Sequence, residues 1–225
     1  MDARTKYTQA ALAAGGIWSW SAAQTAWGRD SEMWPGLLDL IPDTGAVWCA
    51  GVATGEEALT LAARTPDTVS IVASDLALPA LKTAWEGAYP RGMVDAAVDA
   101  GDITSVEAAR IFADYDDCGE WLHVGEAISA RIRWWPHDLV DHAPLTSVDV
   151  VLCRNVLPPL PRQDRAGVVD RLARMGAPVV VGTTDLLHTG RDWLAGFTPA
   201  DSPFVLRPST VRRASTSQHV KRPSR

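Results

Sequence analysis

Short apolar runs alternate along the chain with longer amphipathic stretches, a rhythm that predicts strands and helices taking turns. Ala46–Ala50 reads as a first strand and Glu56–Arg64 as the helix after it; residues 69–74 read as a second strand and Leu78–Glu86 as a second helix. Pro79 falls in the first turn of that helix, where its missing N–H costs little. Residues 130–135 read as a further strand. Residues 148–154 form a near-continuous apolar run, the pattern of a strand buried on both faces. Residues 162–175 then read as a helix and 178–182 as a strand. This alternation predicts an α/β fold, a Rossmann-like, doubly wound parallel sheet with its ligand at the carboxyl ends of the strands. Gly51, Asp75, Asp138 and Asn155 all follow strands and should gather along one edge. Residues 95–125 break the rhythm: 94–112 has Ala-rich helical spacing and 121–124 could be strand. A further helix is expected at residues 7–20.

The stretch Val47-Trp48-Cys49-Ala50-Gly51-Val52-Ala53-Thr54-Gly55-Glu56-Glu57 carries the chemistry. A strand runs into a Gly-bearing turn, and the turn opens a helix whose first N–H groups face outward. Glycine lets the backbone approach a ligand in conformations that a Cβ would forbid. The second strand ends in Asp75, 20 residues after Gly55, where a nucleotide-binding unit places the carboxylate that holds a ribose. The glycines do not match G-x-G-x-x-G, because Ala53 stands between Gly51 and Gly55, so a dinucleotide fits poorly. A nucleoside cofactor without a pyrophosphate, S-adenosylmethionine, fits better.

Four segments, in order, resemble the CheR-type (chemotaxis receptor) methyltransferase family. Thr25-Ala26-Trp27-Gly28-Arg29-Asp30 is similar to T-x-F-F-R-D, and Trp48–Leu59 (residues 48–59) to W-x-A-G-x-x-T-G-E-E. Val72-Ala73-Ser74-Asp75-Leu76, with Ala80-Leu81 and Gly87-Ala88-Tyr89, is similar to A-S-D-I…A-L…G-x-Y. Val148-Asp149-Val150-Val151-Leu152-Cys153-Arg154-Asn155-Val156-Leu157 is similar to F-D-x-I-x-C-R-N-V-L. The resemblance spans residues 21–187. It implies an S-adenosylmethionine-dependent methyltransferase that releases S-adenosylhomocysteine. It also implies cofactor contacts from Thr25, Arg29, Ala50, Gly51, Thr54, Glu56, Asp75, Leu76, Asp138, Leu139, Asn155 and Val156. Glu56 would meet the cofactor's amine, Asp138 and Leu139 its adenine, and Arg29 with Thr25 its methionine end; Arg29 is the one residue assigned to catalysis. No residue is assigned to a metal.

The departures fall on the acceptor side. Where the family continues with Ile-Tyr-Phe, the chain reads Pro158-Pro159-Leu160, and Pro159 offers neither hydroxyl nor N–H. Trp27-Gly28 replaces Phe-Phe and Ala23 stands where Asn is common; with only 20 residues before Ser21, the family's receptor-binding helical domain is expected to be missing. The expected acceptor is therefore a small molecule or peptide, with O-methylation favoured. The alternatives are glutamyl methylation of the chemoreceptor type and a non-catalytic cofactor-binding module. Trp18, Trp20, Trp27 and Trp34 suit either an aromatic acceptor wall or the packing of a lid.

Charge and length narrow the partners. The net charge is −6, yet residues 209–225 hold five Arg or Lys and no acid, which leaves −11 on the rest. An acidic body is a poor match for phosphate backbones, so no nucleic acid is expected. No apolar run reaches the ~18–20 residues of a membrane span, and three cysteines make no disulfide framework. A cytoplasmic monomer or weak homodimer follows. Its expected divisions are residues 1–44 as a helical lid, 45–208 as the cofactor domain with 93–125 inserted on the acceptor side, and 209–225 as a basic disordered tail.

Overall fold

A computed structural model describes residues 25–141 and 147–209. The expected helix at 7–20, the tryptophans Trp18 and Trp20, and the basic tail beyond Ser209 lie outside the described residues.

The described residues open with a buried turn at Trp27 and a short helix α1 (Trp34–Leu38), then enter the sheet. Strand β1 (Ala46–Ala50) pairs in parallel with β2 (Ser70–Asp75) on one side and with β6 (Val150–Leu152) on the other. Strand β5 (Ile132–Pro136) lies outside β2, and β7 (Val179–Val180) lies outside β6. Two late strands close the far edge: β8 (Phe197–Pro199) and β9 (Val205–Pro208), with β9 antiparallel to both β7 and β8. The seven strands run in the order β5-β2-β1-β6-β7-β9-β8. The first five in that order are parallel, as the alternating pattern predicts. Between β1 and β6 the strand order reverses, which is where a doubly wound sheet opens a crevice at its carboxyl ends.

Helices fill both faces. Helix α2 (Glu56–Arg64) starts at Gly55, whose φ of 93° no residue with a Cβ adopts readily, and Glu56 and Glu57 complement its positive end. Helix α3 (Leu78–Glu86) stops at Gly87, again left-handed at φ 64°. Helix α7 (Arg162–Arg174) and α8 (Thr183–Trp193) join β6 and β7 in one apolar cluster, Val168, Leu172 and Trp193 meeting Val151 and Val179. The two apolar clusters divide along the sheet, Val47, Cys49 and Ile71 facing one and Trp48, Val151 and Val179 the other.

The stretch after α3 forms a small subdomain. Strand β3 (Ala88–Pro90) pairs antiparallel with β4 (Trp121–His123), and α4 (Arg91–Asp99) and α5 (Ser105–Ile111) lie between them. The helical spacing over 94–112 is thus two helices. The break has a local cause: Gly101 takes φ 77°, and Thr104 opens α5 with a reciprocal capping box to Glu107. A single turn of helix, α6 (Glu126–Ser129), leads into β5. The apolar run at 148–154 yields only the three residues of β6; the ladder reaches Cys153 through its N–H to Val180, and the chain then turns at Asn155, whose φ is 59°. Among the described residues no helix is long and apolar enough to cross a membrane.

Candidate functional site

The loop between β1 and α2 is built by backbone. Gly51, Ala53 and Gly55 have φ of 79°, 49° and 93°. That winding turns N–H groups toward β2: Gly51 donates to the Ser74 carbonyl at 2.7 Å, Val52 to the same oxygen at 3.1 Å, and Ala53 to Asp75 Oδ2 at 2.7 Å. Asp75 Oδ1 accepts from Ala77 N at 2.7 Å, two residues on. The helix cap is Ala77, so Asp75 stands in the crevice wall rather than capping α3. Burial raises its carboxyl above the usual range, opposed by the N–H groups of Ala77, Ala53 and Leu76. The loop has no room to spare. A Cβ on Gly51 would meet Val156 Cγ2 at 2.4 Å, and one on Gly55 would meet Ala84 Cβ at 2.8 Å and Trp134 Cη2 at 2.9 Å.

Beside this loop sits a second carboxylate, on the first residue of α2. Glu56 is 3% exposed, and burial pushes its carboxyl up against the opposing pull of the Thr54 hydroxyl and the Arg29 charge. Thr54 Oγ1 lies 3.0 and 2.7 Å from its two oxygens. Tyr89, from β3, donates its hydroxyl to the Thr54 carbonyl at 2.6 Å, and burial together with the Glu56 charge holds that phenol well above its ordinary pKa. Glu56 thus has the Thr54 hydroxyl on its carboxylate and the Arg29 charge close enough to act on it. Thr25 lies half-buried at the start of the same segment.

The third wall follows β6. Asn155 Oδ1 accepts from Thr184 N at 3.2 Å, and its backbone N–H donates to Asp185 Oδ2, which also accepts from Gly182 N at 3.0 Å. Asp185 is fully buried; desolvation pushes its carboxyl up to about 6 against the N–H groups of Gly182, Asn155 and Leu157 and the charge of Arg154. Val156 covers Gly51 from this side. On the β5 side His137 donates its backbone N–H to the Asp75 carbonyl at 3.0 Å, which brings the residues after β5 to the same edge. Asp138 Oδ1 accepts from Val140 N at 2.8 Å, while its Oδ2 is buried without a partner among the described residues. Leu139 packs against the cluster around Trp48, Ala50 is buried beneath the loop, and Leu76 is 41% exposed at the rim.

Sequence reasoning missed three groups here. Arg154 forms buried ion pairs with Asp30 and Glu57, so one guanidinium joins three of the four motif segments. The signal was present: a cation and two anions in R-N, R-D and E-E, each beside a residue already singled out. Asp185 lay beyond the motifs and offered no comparable sign. Tyr89 stands in the G-x-Y motif, but the motif alone does not show its bond to the glycine loop. The Trp27-Gly28 departure also has a local reason. Gly28 takes φ 53° with its Cα pressed against the α4–α5 connection, where a Cβ would meet the Asp102 carbonyl at 1.8 Å. Trp27 is 3% exposed and packs edge-on against Tyr89 and Phe112, at centroid distances of 5.3 and 5.6 Å. Trp34 is buried with Arg64 4.4 Å above its ring. Both tryptophans pack in the core.

Residues 39–199 match the family described as CheR methyltransferase, SAM binding domain. The chain belongs to the CheR methyltransferase family. Its cofactor is S-adenosylmethionine, as the resemblance implied. No curated protein matches the sequence. Among solved structures the chain is similar to TrmN from Thermus thermophilus, with 18% identity, a TM-score of 0.45, and coverage of 77% of this chain and 46% of that one. It is similar to the glycopeptide N-methyltransferase MtfA complexed with S-adenosylmethionine, with 11% identity, a TM-score of 0.45, and coverage of 70% and 54%. It is also similar to an S-adenosylmethionine-dependent O-methyltransferase from Thermotoga maritima, with 14% identity, a TM-score of 0.46, and coverage of 83% and 61%. The chain spans about half the length of the first two. The CheR-family crevice suits its cofactor chemically. Ribose hydroxyls, an adenine amino group, an ammonium and a carboxylate call for three acceptors and a cation; Asp75, the unpartnered Asp138 Oδ2, Glu56 and Arg29 are of those kinds.

Proposed function

We propose that the chain transfers a methyl group from S-adenosylmethionine to a small-molecule or peptide acceptor, with an oxygen atom favoured. The observation that carries the reading is the shared crevice, in which the 51–55 loop is bonded directly to Asp75 with Glu56 alongside. Asp75 accepts from the ribose hydroxyls, and Asp138 Oδ2 accepts from the adenine amino group while Leu139 packs on the ring. Glu56 pairs with the ammonium. Arg29, with Thr25 beside it, forks onto the carboxylate. Ala50, Gly51, Thr54, Leu76, Asn155 and Val156 line the remainder.

Bound there, the cofactor supplies a methyl group on a positively charged sulfur, already activated for displacement. The chain's own work is alignment. Fixing both ends of a rigid crevice leaves the acceptor atom one line of approach, and such orientation supplies ~7–11 kcal/mol of a barrier. A carboxylate acceptor needs no base, and none is assigned. His123 is held by Asp114 at 2.7 Å on the inserted subdomain, and His137 packs edge-on against Trp48 at 5.7 Å. Pro158 and Pro159, in place of the family's acceptor-side tyrosine, support an acceptor other than a receptor glutamate.

Calorimetry with S-adenosylhomocysteine tests the first half; micromolar binding is expected, and the absence of heat overturns the cofactor assignment for this chain. Incubation with labelled S-adenosylmethionine, against receptor tails on one side and a panel of small molecules and peptides on the other, tests the second. Efficient base-labile esters on the receptor tails would overturn the choice of acceptor. Tight binding with no methylated product across the panel would favour the non-catalytic module.

A further inference from the structure

Arg154 follows β6, yet its guanidinium reaches two other segments. Nη2 donates to the Arg29 carbonyl at 2.9 Å and to Asp30 Oδ2 at 2.8 Å, and Nη1 donates to Glu57. Thr183, at the start of α8, donates its hydroxyl to the other Asp30 oxygen at 3.2 Å. The Arg154 side chain is 2% exposed. Burial works against its charge, but Glu57 and Asp30 outweigh it and hold the guanidinium above its ordinary pKa. Burial likewise raises Asp30, and Arg154 and Thr183 together more than reverse that.

A buried ion cluster of this kind gains little over an apolar one of the same shape, because desolvation consumes most of the attraction. Its effect is on position. Asp30 is held at φ 56°, a left-handed conformation that a residue with a Cβ resists. Asp30 is bonded in the chain to Arg29, whose carbonyl is gripped by the same guanidinium, and Glu57 is bonded to Glu56. The other end of the crevice has separate supports: Asp75 rests on Ala53 and Ala77, and Asp138 on Val140.

We infer that Arg154 is the positioning residue for the amino-acid end of the cofactor, holding Arg29 and Glu56 at the spacing that an ammonium and a carboxylate require, without touching the cofactor itself. The inference rests on the cofactor reading above. It predicts selectivity that a general structural role would not produce. S-adenosylhomocysteine carries the amino-acid end, whereas 5′-methylthioadenosine keeps the nucleoside and lacks it.

Calorimetry on the full chain compares the two ligands. Arg154→Met should weaken S-adenosylhomocysteine about tenfold to a hundredfold, the loss of one or more charge-assisted contacts, and leave 5′-methylthioadenosine unchanged. Arg154→Lys should rescue part of the loss, because one ammonium cannot serve three acceptors in a fixed fork. Asp30→Asn and Glu57→Gln keep the side-chain shapes and should show the same selectivity in weaker form; they carry the test where Arg154→Met fails to fold. Unchanged S-adenosylhomocysteine affinity in the variants, or equal losses for both ligands, would overturn the inference. A wild-type chain that binds neither ligand would instead overturn the cofactor reading.

Discussion

The two sides of the crevice are shaped by different materials. On the β1–β2 side the backbone does it: left-handed residues at the alternate positions Gly51, Ala53 and Gly55 wind the loop, and the N–H groups of Gly51, Val52 and Ala53 meet Ser74 and Asp75. On the β6–β7 side charged side chains do it: Arg154 gathers Asp30 and Glu57, and Asp185 holds the N–H groups of Asn155 and Gly182. A backbone-built wall answers chiefly to added atoms. A side-chain-built wall tolerates small changes of volume and answers to protonation and charge.

Gly51→Ala attacks the first wall where it is tightest. A methyl group there combines a φ of 79° with a 2.4 Å approach to Val156, and the strain and overlap should together cost roughly 2–4 kcal/mol. Denaturant unfolding of the variant measures it; a loss near zero would mean that the loop is not wound as described.

Asp185 tests the second wall through pH. Its carboxyl, raised from 3.8 to about 6, binds a proton more readily in the folded chain than in the unfolded one. Stability from this group is therefore greatest below about pH 3.8 and declines as pH rises to about 6, above which the buried charge costs about 3 kcal/mol. The gap in unfolding free energy between wild type and Asp185→Asn should shift by about 2 kcal/mol between pH 4 and pH 7, against the wild type. Parallel curves would show that Asp185 ionises as an ordinary carboxyl.

Asp75→Ala should weaken S-adenosylhomocysteine by roughly tenfold to a few hundredfold, since charge-assisted hydrogen bonds are worth ~1.5–3 kcal/mol each. Because Asp75 also receives Ala53 N and Ala77 N, Asp75→Asn belongs in the same titration, where it separates the loss of charge from the loss of loop support. The smallest change is expected for Asn155→Gly. Glycine relieves the left-handed backbone at φ 59° and gives up the bond from Thr184 N. These nearly cancel, and stability should move by less than about 1 kcal/mol. A larger loss would assign Asn155 a structural weight that its contacts do not suggest.

The backbone-built wall was the legible one. Glycine spacing, a strand ending in Asp75 and the helix opening at Glu56 are local patterns, and Ala46–Ala50, Glu56–Arg64 and Leu78–Glu86 stand where periodicity puts them. The side-chain-built wall was largely hidden. Arg154 lies 124 residues from Asp30 and 97 from Glu57, a pairing that no local rhythm encodes; only the sheet order brings them together. Asp185 follows β7, a strand of two residues whose apolar signal merges with its flanks. For the tryptophans the sequence left a pocket wall and core packing both open, and the structure decides for two of them: Trp27 packs on Tyr89 and Phe112, and Trp34 lies under Arg64. Trp18 and Trp20 lie outside the described residues.

Of the three cysteines, Cys49 and Cys153 are buried in and just beyond central strands, and burial lifts both thiols well above their ordinary pKa; Cys118, between α5 and β4, is exposed. A maleimide dye should thus attach at Cys118 alone in the native protein, with no mutagenesis. Tyr89 links that same small subdomain to the glycine loop, so a fluorophore there is a ready optical reporter of ligands entering from either side.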